Sequence, residues 1–429
     1  MSQPETAGGA ASPHPGSSRD PDLPTPALAE LPRVAEADVY KAGRLAGRLL
    51  RRSDRVEFVY RAEYVEEHGE AVATTLPLGV EPVASPAGAV PPFFAGLLPE
   101  GRRLSALRRA VKTSADDELS ILLAVGSDTV GDVQVVPAGT APSAAEPLLL
   151  VERWDAVDFT DVLRWSLGID IDRVALPGLQ DKVSAAMIAV PVGRAGQSSI
   201  LKLSPPEFPH LVENEAFFLR VAREAGLSVV DAEIVHDGTG ARGLLLRRFD
   251  RADGFDGADR ATMLAVEDGC QVLGRYPADK YALTAEEVVR GLAHATRASP
   301  VAARDLLSQL AFAYLACNGD AHAKNFAVVR TVEAEWRVTP AYDLPCSYVY
   351  GDTTMALTID GKSKEDIGRD SFVALGASAG LPARAVTRVV DELCAAVDGW
   401  IDRLDELPFD EHRIHRLRRA VLYRRDRLR

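Results

Sequence analysis

The sequence predicts an α+β protein, and three observations predict it. Short runs with the period-2 alternation of strands sit beside longer runs with helical periodicity. The stretch 37–140 combines a hairpin, helices and a strand and reads as a small α+β unit, and both kinds of run continue beyond it. A chain of 429 residues, at about 100–200 residues per domain, has room for two or three domains.

The elements follow in order. Residues 1–36 are rich in Pro, Ala, Gly and Ser and read as a disordered tail. "RLAGRLLRRSDRVEFVYRAEYV" (44–65) reads as a hairpin turning at Ser53-Asp54. "PPFFAGLLPEGRRLSALRRAV" (91–111) has helical spacing with a basic outer face. "ELSILLAV" and "GSDTVGDVQVVPAG" (118–139) read as helix, Gly turn and strand, which completes a small unit over 37–140. "TAPSAAEP" (140–147) is a linker. Beyond it, "SSILKLSP" (198–205) is a short strand, and "LVENEAFFLRVAREAGL" (211–227) is an amphipathic helix closed by Gly226. "RGLLLRRFDR" (242–251) is a strand ending in charge. "EDGCQVLGRYPADKY" (267–281) ends a helix in a Pro turn. "VAARDLLSQLAFAYLACN" (301–318) is a long apolar helix, "FAVVR" and "WRVTP" (326–330, 336–340) are a hairpin pair, and the chain is helical from about 380.

Composition narrows the class. With 47% hydrophobic residues the chain has ample core material. A net charge of −13 argues against a broad electrostatic grip on nucleic acid. The four cysteines, Cys270, Cys317, Cys346 and Cys394, form no CxxC pair, which argues against a zinc site or a disulfide framework and favours a reducing cytoplasm. No basic-then-apolar leader and no apolar run of about 18 residues is present, so neither secretion nor a membrane span is expected. The terminal "RIHRLRRAVLYRRDRLR" (413–429) carries eight Arg and one Asp. It could meet DNA phosphates, or it is a solvated helix face that pairs with the acidic body of the chain.

The chemistry concentrates in "ACNGDAHAKNF" (316–326), polar residues set between two apolar runs. Asp320 and Asn325 stand five apart on the loop that ends the long helix. An Asp-x-x-x-x-Asn loop is how kinases place a base and a Mg²⁺ ligand against one phosphate. The spacing also recurs by chance, and a polar turn explains it equally well. Asp343 in "TPAYDLP" (339–345) follows after the hairpin, where a second metal-binding Asp belongs in that layout. Lys202 stands on a strand ahead of a helix that carries Glu213 and Glu215, either of which could hold it. "LPGLQDKVSAAM" (176–187) offers a single Gly, a poor phosphate cradle by itself.

With these residues in hand, the chain resembles the HipA-like serine/threonine kinases, the toxin halves of bacterial toxin–antitoxin pairs. "LPGLQDK", "ILKLSP", "ENEAFFLRVAREAGL", "LLLRRFDR", "EDGCQVLG" with a following Pro and "KY", "NGDAHAKNF" and "TPAYDLP" occur in the family's order over about 172–350. "PPFFAGLLPEG" and "GSDTVGDVQVVP" resemble its N-terminal subdomain, while the C-terminal helices match loosely. The resemblance implies a two-lobed protein-kinase-like fold with a small N-terminal α/β subdomain (37–140) and a kinase core (148–429). In that core, 172–260 would bind nucleotide and 261–429 would form a mostly helical catalytic lobe.

It also implies roles. Asp320 would be the catalytic Asp, and Asn325 and Asp343 would hold Mg²⁺. Lys202 would contact the ATP phosphates, and Pro177, Gly178, Leu179, Gln180, Asp181 and Lys182 would cover them. Phe249 would sit in the hinge that meets adenine through backbone groups, and Arg247 and Arg248 beside it would belong to the nucleotide site. His322, Lys324 and Tyr342 would complete the nucleotide site. The implied partners are a protein substrate in the translation machinery, with growth arrest as outcome, and a separate helix-turn-helix antitoxin through which alone DNA is met. One departure stands out. Family members carry a self-phosphorylated Ser three residues before the loop Gly, and here that residue is Ala175, which puts self-inactivation at that position in doubt. Two other readings compete. An aminoglycoside-phosphotransferase type of small-molecule kinase normally has His before the Gly, where this chain has Asn318. A nucleotide-binding pseudokinase serving as a partner-binding or repressor module usually loses one of Asp320, Asn325, Asp343 or Lys202, all present here.

Overall fold

The computed structural model describes residues 27–114, 116–142, 149–167, 187–194, 197–252 and 262–429. The first unit is a five-stranded antiparallel sheet made of β1 (Glu36–Lys41), β2 (Arg44–Arg51), β3 (Arg55–Tyr60), β4 (Val83–Pro86) and β5 (Val133–Pro137) in the order β4-β3-β2-β1-β5. The β2–β3 hairpin turns at Ser53-Asp54, as its alternation implied. Against the sheet pack α1 (Ala62–Glu66), α2 (Pro92–Gly96), α3 (Gly101–Val111) and α4 (Glu118–Val125), with Phe58, Phe94, Leu119 and Leu122 in a common core. Asp117 caps α4 by accepting from the Ser120 amide, which satisfies one open helix donor.

The tail is shorter than composition suggests. Residues 1–26 lie outside the described residues, but Leu28–Arg33 is a 3-10 helix and β1 begins at Glu36. Leu31 is buried in the core of the first unit, and burial of that one apolar side chain opposes the entropy that Pro and Ala would otherwise favour.

The second unit opens with a sheet of β6 (Leu149–Leu150), β7 (Ile188–Arg194), β8 (Gln197–Leu203), β9 (Ala232–His236) and β10 (Arg242–Arg247), in the order β6-β7-β8-β10-β9. Helix α5 (Phe159–Leu167) covers one face through Phe159 and Val162, and α6 (Leu211–Glu224) lies on the other. Alternation on β8 sends Leu201 and Leu203 into the first of these cores and Lys202 to the α6 side. A two-stranded ribbon, β11 (Arg251–Ala252) with β12 (Thr262–Met263), leads into the lower lobe.

That lobe is mostly helical. The expected hairpin is present as β14 (Ala327–Arg330) and β15 (Trp336–Val338), and β13 (Val266–Asp268) joins it as a third strand. The segment 267–281 is therefore not a helix ending in a turn. It is strand, then the single-turn helix α7 (Gly269–Val272), because Glu267 and Asp268 pair with Val328 and Ala327. Then come α8 (Ala285–His294), α9 (Ser299–Leu315), α10 (Arg369–Ser378), α11 (Ala383–Trp400) and α12 (Glu411–Leu428). α9 is apolar around most of its circumference and sits at the centre of the lobe. No described helix is long and apolar enough to cross a membrane.

The Arg-rich α12 spends its charges locally. Arg418 pairs with Asp405, Arg425 with Asp398 and Asp426, and Arg413 with Asp410. Arg424 is buried. It donates to the carbonyls of Tyr314 (2.8 Å) and Thr353 (3.1 Å) and lies over the Tyr314 ring. Of the two sequence readings, pairing with nearby acids is the one the geometry displays.

Candidate active site

The site forms where α9 ends. Cys317 adopts a left-handed backbone (φ 55°) and turns the chain out of the helix. Gly319 follows because nothing larger fits: a Cβ there would stand 2.4 Å from the Thr354 carbonyl. Asp320 is 1% exposed, and its backbone N–H donates to the Asn318 side chain at 3.1 Å. Its Oδ1 accepts from the Tyr281 hydroxyl at 2.9 Å. Asn325 accepts the His322 N–H at Oδ1 (2.9 Å) and donates from Nδ2 to Asp343 Oδ2 (2.6 Å). Asp343 also has a left-handed backbone (φ 56°), an uncommon state for a non-glycine residue and one that clusters at functional sites.

Lys202 closes the set. Its Nζ donates to Asp343 Oδ1 (3.0 Å) and to both oxygens of Glu215 (2.7 and 2.9 Å). The choice between the two α6 glutamates is thus Glu215. Glu213 faces outward and pairs with Arg242. Burial opposes the Lys202 charge, but the carboxylates of Asp343 and Glu215 outweigh it and hold the ammonium above the ordinary lysine range. Burial also opposes ionisation of Asp343, and Lys202 outweighs it and keeps that carboxyl low. Burial raises Glu215. His322 is 4% exposed, and burial, helped by the Lys280 charge, pushes it down to about 3, so its ring is neutral. Its Nδ1 has no hydrogen-bond partner among the described residues, and the ring stands edge-on to Tyr281 at 5.2 Å.

Beside these groups lies a cleft of about 340 Å³. Leu97, Val130, Ile200, Leu246, Phe249 and Tyr342 make its apolar walls, and Lys202, Asp268 and Lys324 line its polar end. Phe249 and Tyr342 face one another at 5.5 Å between ring centroids. Of the residues singled out from sequence, Lys202, Arg247, Arg248, Phe249, Lys324 and Tyr342 all line this cleft. Asp320, His322, Asn325 and Asp343 do not line it: Asn325 and Asp343 connect to it through Lys202, and the Asp320 carbonyl accepts the His322 N–H at 2.8 Å. The 177–182 loop and Ala175 lie outside the described residues.

Arg248 lines the cleft but turns its charge toward the first unit. Its guanidinium is taken up by Asp250 (2.7 and 2.9 Å), Asp128 (2.8 Å) and the Thr129 carbonyl (2.9 Å). Those bonds fasten the end of β10 to the first unit. Arg248→Ala leaves Asp250 buried with a depleted cation set, and breaking a buried pair from one side costs about 3–5 kcal/mol. Urea titration should register a loss toward the lower end, since Arg251 also reaches Asp250. Lys324 likewise turns toward the first unit, to the Gly96 carbonyl at 3.1 Å and to Glu100. Sequence reasoning passed over Tyr281, Asp268 and Glu100. Tyr281 and Asp268 stood inside quoted motifs without a role.

The donors fit Mg²⁺. This ion prefers oxygen ligands and takes one or two carboxylates plus substrate phosphates rather than an all-protein cage. Asp343 offers carboxylate oxygens and Asn325 an amide beside them, whose Nδ2 donates to Asp343 Oδ2 while Oδ1 accepts the His322 N–H, and among the described residues no group of three or more His, Cys, Asp or Glu forms a closed metal cluster.

A strand-borne Lys held by a helix Glu, above an Asp-x-x-x-x-Asn loop and a following Asp, defines a two-lobed kinase-like α+β fold. The comparisons name the family. A family model described as the HipA-like C-terminal domain matches residues 174–401, and one described as the HipA N-terminal domain matches 37–136. The chain belongs to the HipA-like family. A Sinorhizobium fredii protein named as a kinase, Y4mE, is 28% identical over 416 residues, covering 90% of this chain and 97% of its own. The serine/threonine-protein kinase toxin HipA of Shewanella oneidensis is 28% identical over 348 residues, covering 74% and 79%. In structure, the chain is similar to Shewanella oneidensis HipA solved with HipB and operator DNA. The TM-score is 0.72 at 23% identity, over 91% of this chain and 97% of that one, a likeness of fold.

Proposed function

We propose that this chain is an ATP- and Mg²⁺-dependent serine/threonine protein kinase of the HipA toxin type. The supporting observation is the continuous set Glu215–Lys202–Asp343–Asn325, which converges beside Asp320 at the polar end of the cleft. In this reading residues 172–260 hold the nucleotide, 261–429 form the catalytic lobe, and adenine meets backbone groups of the hinge at Phe249, whose ring packs on Tyr342. Lys202 contacts the phosphates, and the neutral His322 offers Nδ1 toward them. Asn325 and Asp343 would hold Mg²⁺, which would supply charge neutralisation at the phosphates. Asp320 accepts the proton as a Ser or Thr hydroxyl attacks the γ-phosphorus. The new O–P bond forms as the bond to the β,γ-bridging oxygen breaks, and ADP leaves. The substrate class is a host protein, with translation and growth arrest as the expected target and outcome, in the cytoplasm. The Shewanella structure, which contains HipB and operator DNA, supports a separate antitoxin partner that would bring this chain to DNA indirectly.

The test begins with nucleotide. Ligand at about 100 times its Kd adds roughly 2.7 kcal/mol by mass action when only the folded state binds it. The melting midpoint should therefore rise with Mg·ATP and rise less with ATP plus chelator. An unchanged midpoint at millimolar Mg·ATP overturns the reading. Labelled ATP added to a lysate, followed by identification of the labelled protein, then names the substrate.

A further inference from the structure

We infer that Glu100, a residue of the first unit, is a positioning residue for phosphoryl transfer: one carboxylate clamps the two segments that hold the catalytic groups. The inference rests on the kinase reading above.

Glu100 stands just before α3, next to Pro99, which lines the cleft. Its Oε1 lies 2.9 Å from Lys324 Nζ, and its Oε2 accepts from Lys280 Nζ. Each lysine neighbours a working residue. Lys324 precedes Asn325, the candidate metal ligand. Lys280 precedes Tyr281, whose hydroxyl donates to Asp320. The two segments also meet directly, where the Ala323 N–H donates to the Lys280 carbonyl at 3.3 Å. Glu100 therefore ties the base side and the metal side of the site together, from a unit that supplies neither.

The electrostatics make this carboxylate hard to replace. Both lysine side chains are nearly buried, at 10% and 14% exposed. Burial alone would raise the Glu100 carboxyl, but the two ammonium groups outweigh it and hold it at about 2. It is ionised across the working pH range. Without it, two buried ammonium groups face each other, and the remaining carboxylate near Lys324, Asp268, is 3.8 Å away. Repulsion would then push the 277–281 turn and the 320–325 loop apart. Displacements of about 1 Å at a reacting centre cost on the order of 100-fold in rate. Adhesion of the first unit does not depend on Glu100, since Thr74 on Glu267, Gln271 on the Phe93 carbonyl and Arg248 on Asp128 join the same surfaces.

The experiment uses the full chain, γ-labelled Mg·ATP, casein as a generic acceptor, and ADP release as a second readout. E100Q should lower kcat by about 10- to 100-fold while the KM for ATP stays within about threefold. E100D, which keeps the charge, should recover most of the rate. K280M breaks the clamp from the other side and serves if E100Q does not fold. The double variant should lose no more than the worse single one, because both act through one interaction. Unchanged kcat in E100Q, or losses that multiply in the double variant, overturn the clamp while leaving the kinase reading intact. A folded parent that neither gains stability from Mg·ATP nor releases ADP overturns the kinase reading, and the clamp falls with it.

Discussion

Asp320→Asn is expected to remove phosphotransfer and spare nucleotide binding. General-base catalysis contributes about 100- to 10,000-fold, and loss on that scale is the expected effect on labelled phosphate incorporation. The amide keeps the shape of the carboxylate, and its oxygen can still accept from the Tyr281 hydroxyl at the place now occupied by Oδ1. Lys202, Asn325 and Asp343 are untouched, so the rise in melting midpoint with Mg·ATP should match the parent. A variant that transfers phosphate at the parental rate would remove Asp320 from the mechanism. One that loses the nucleotide shift would make it a structural residue instead.

Lys202→Ala should carry the largest combined penalty. Glu215 is fully buried, and Lys202 is the cation that both of its oxygens contact. Removing the cation strands a buried carboxylate, at a cost of about 3–5 kcal/mol, and removes the phosphate contact. Denaturant titration should show the first loss and a shrunken Mg·ATP shift the second. The pH dependence has a definite sign. Burial raises Glu215, and the Lys202 charge that opposes this is gone in the variant. A carboxyl whose folded pKa lies above its unfolded value takes up a proton on folding as pH falls. The deficit should therefore be larger at pH 8 than at pH 5. A deficit independent of pH would show that Glu215 is not the stranded group.

The parts of the site that were legible in the sequence are those whose geometry is local or ordered. Asp320 and Asn325 share one loop, and Asp343 follows after a single hairpin, so spacing alone brought them together. Lys202 could be placed because a period-2 strand and a 3.6-period helix adjoin it. The partner glutamate could not be chosen, because Glu213 and Glu215 point to different faces of α6 and only the docked rotation of the helix decides. The acidic partners of Arg248 were hidden for a related reason. Adjacent residues of extended chain point to opposite sides, and Arg248 turns to Asp128 and Asp250, distant in sequence or on its own turn. Tyr281 and Glu100 act across 39 and 180 residues, to Asp320 and Lys280 respectively, and no short-range pattern encodes such pairs. The core was easier to see, since α9 and β10 are apolar runs whose burial needs no particular partner.

The seat of Arg424 has a consequence in time. At the end of α9 the Tyr314 carbonyl accepts the Cys317 N–H at 3.1 Å, and Arg424 adds a second donor at 2.8 Å, six residues before Asp320. Translation runs from the amino end at about 5–20 residues per second, so the 104 residues between Asp320 and Arg424 take roughly 5–20 s to make. Throughout that interval the nascent chain carries its Asp–Asn loop without the strut beneath it. The loop therefore gains its last neighbour only after the final helix has been released and has docked.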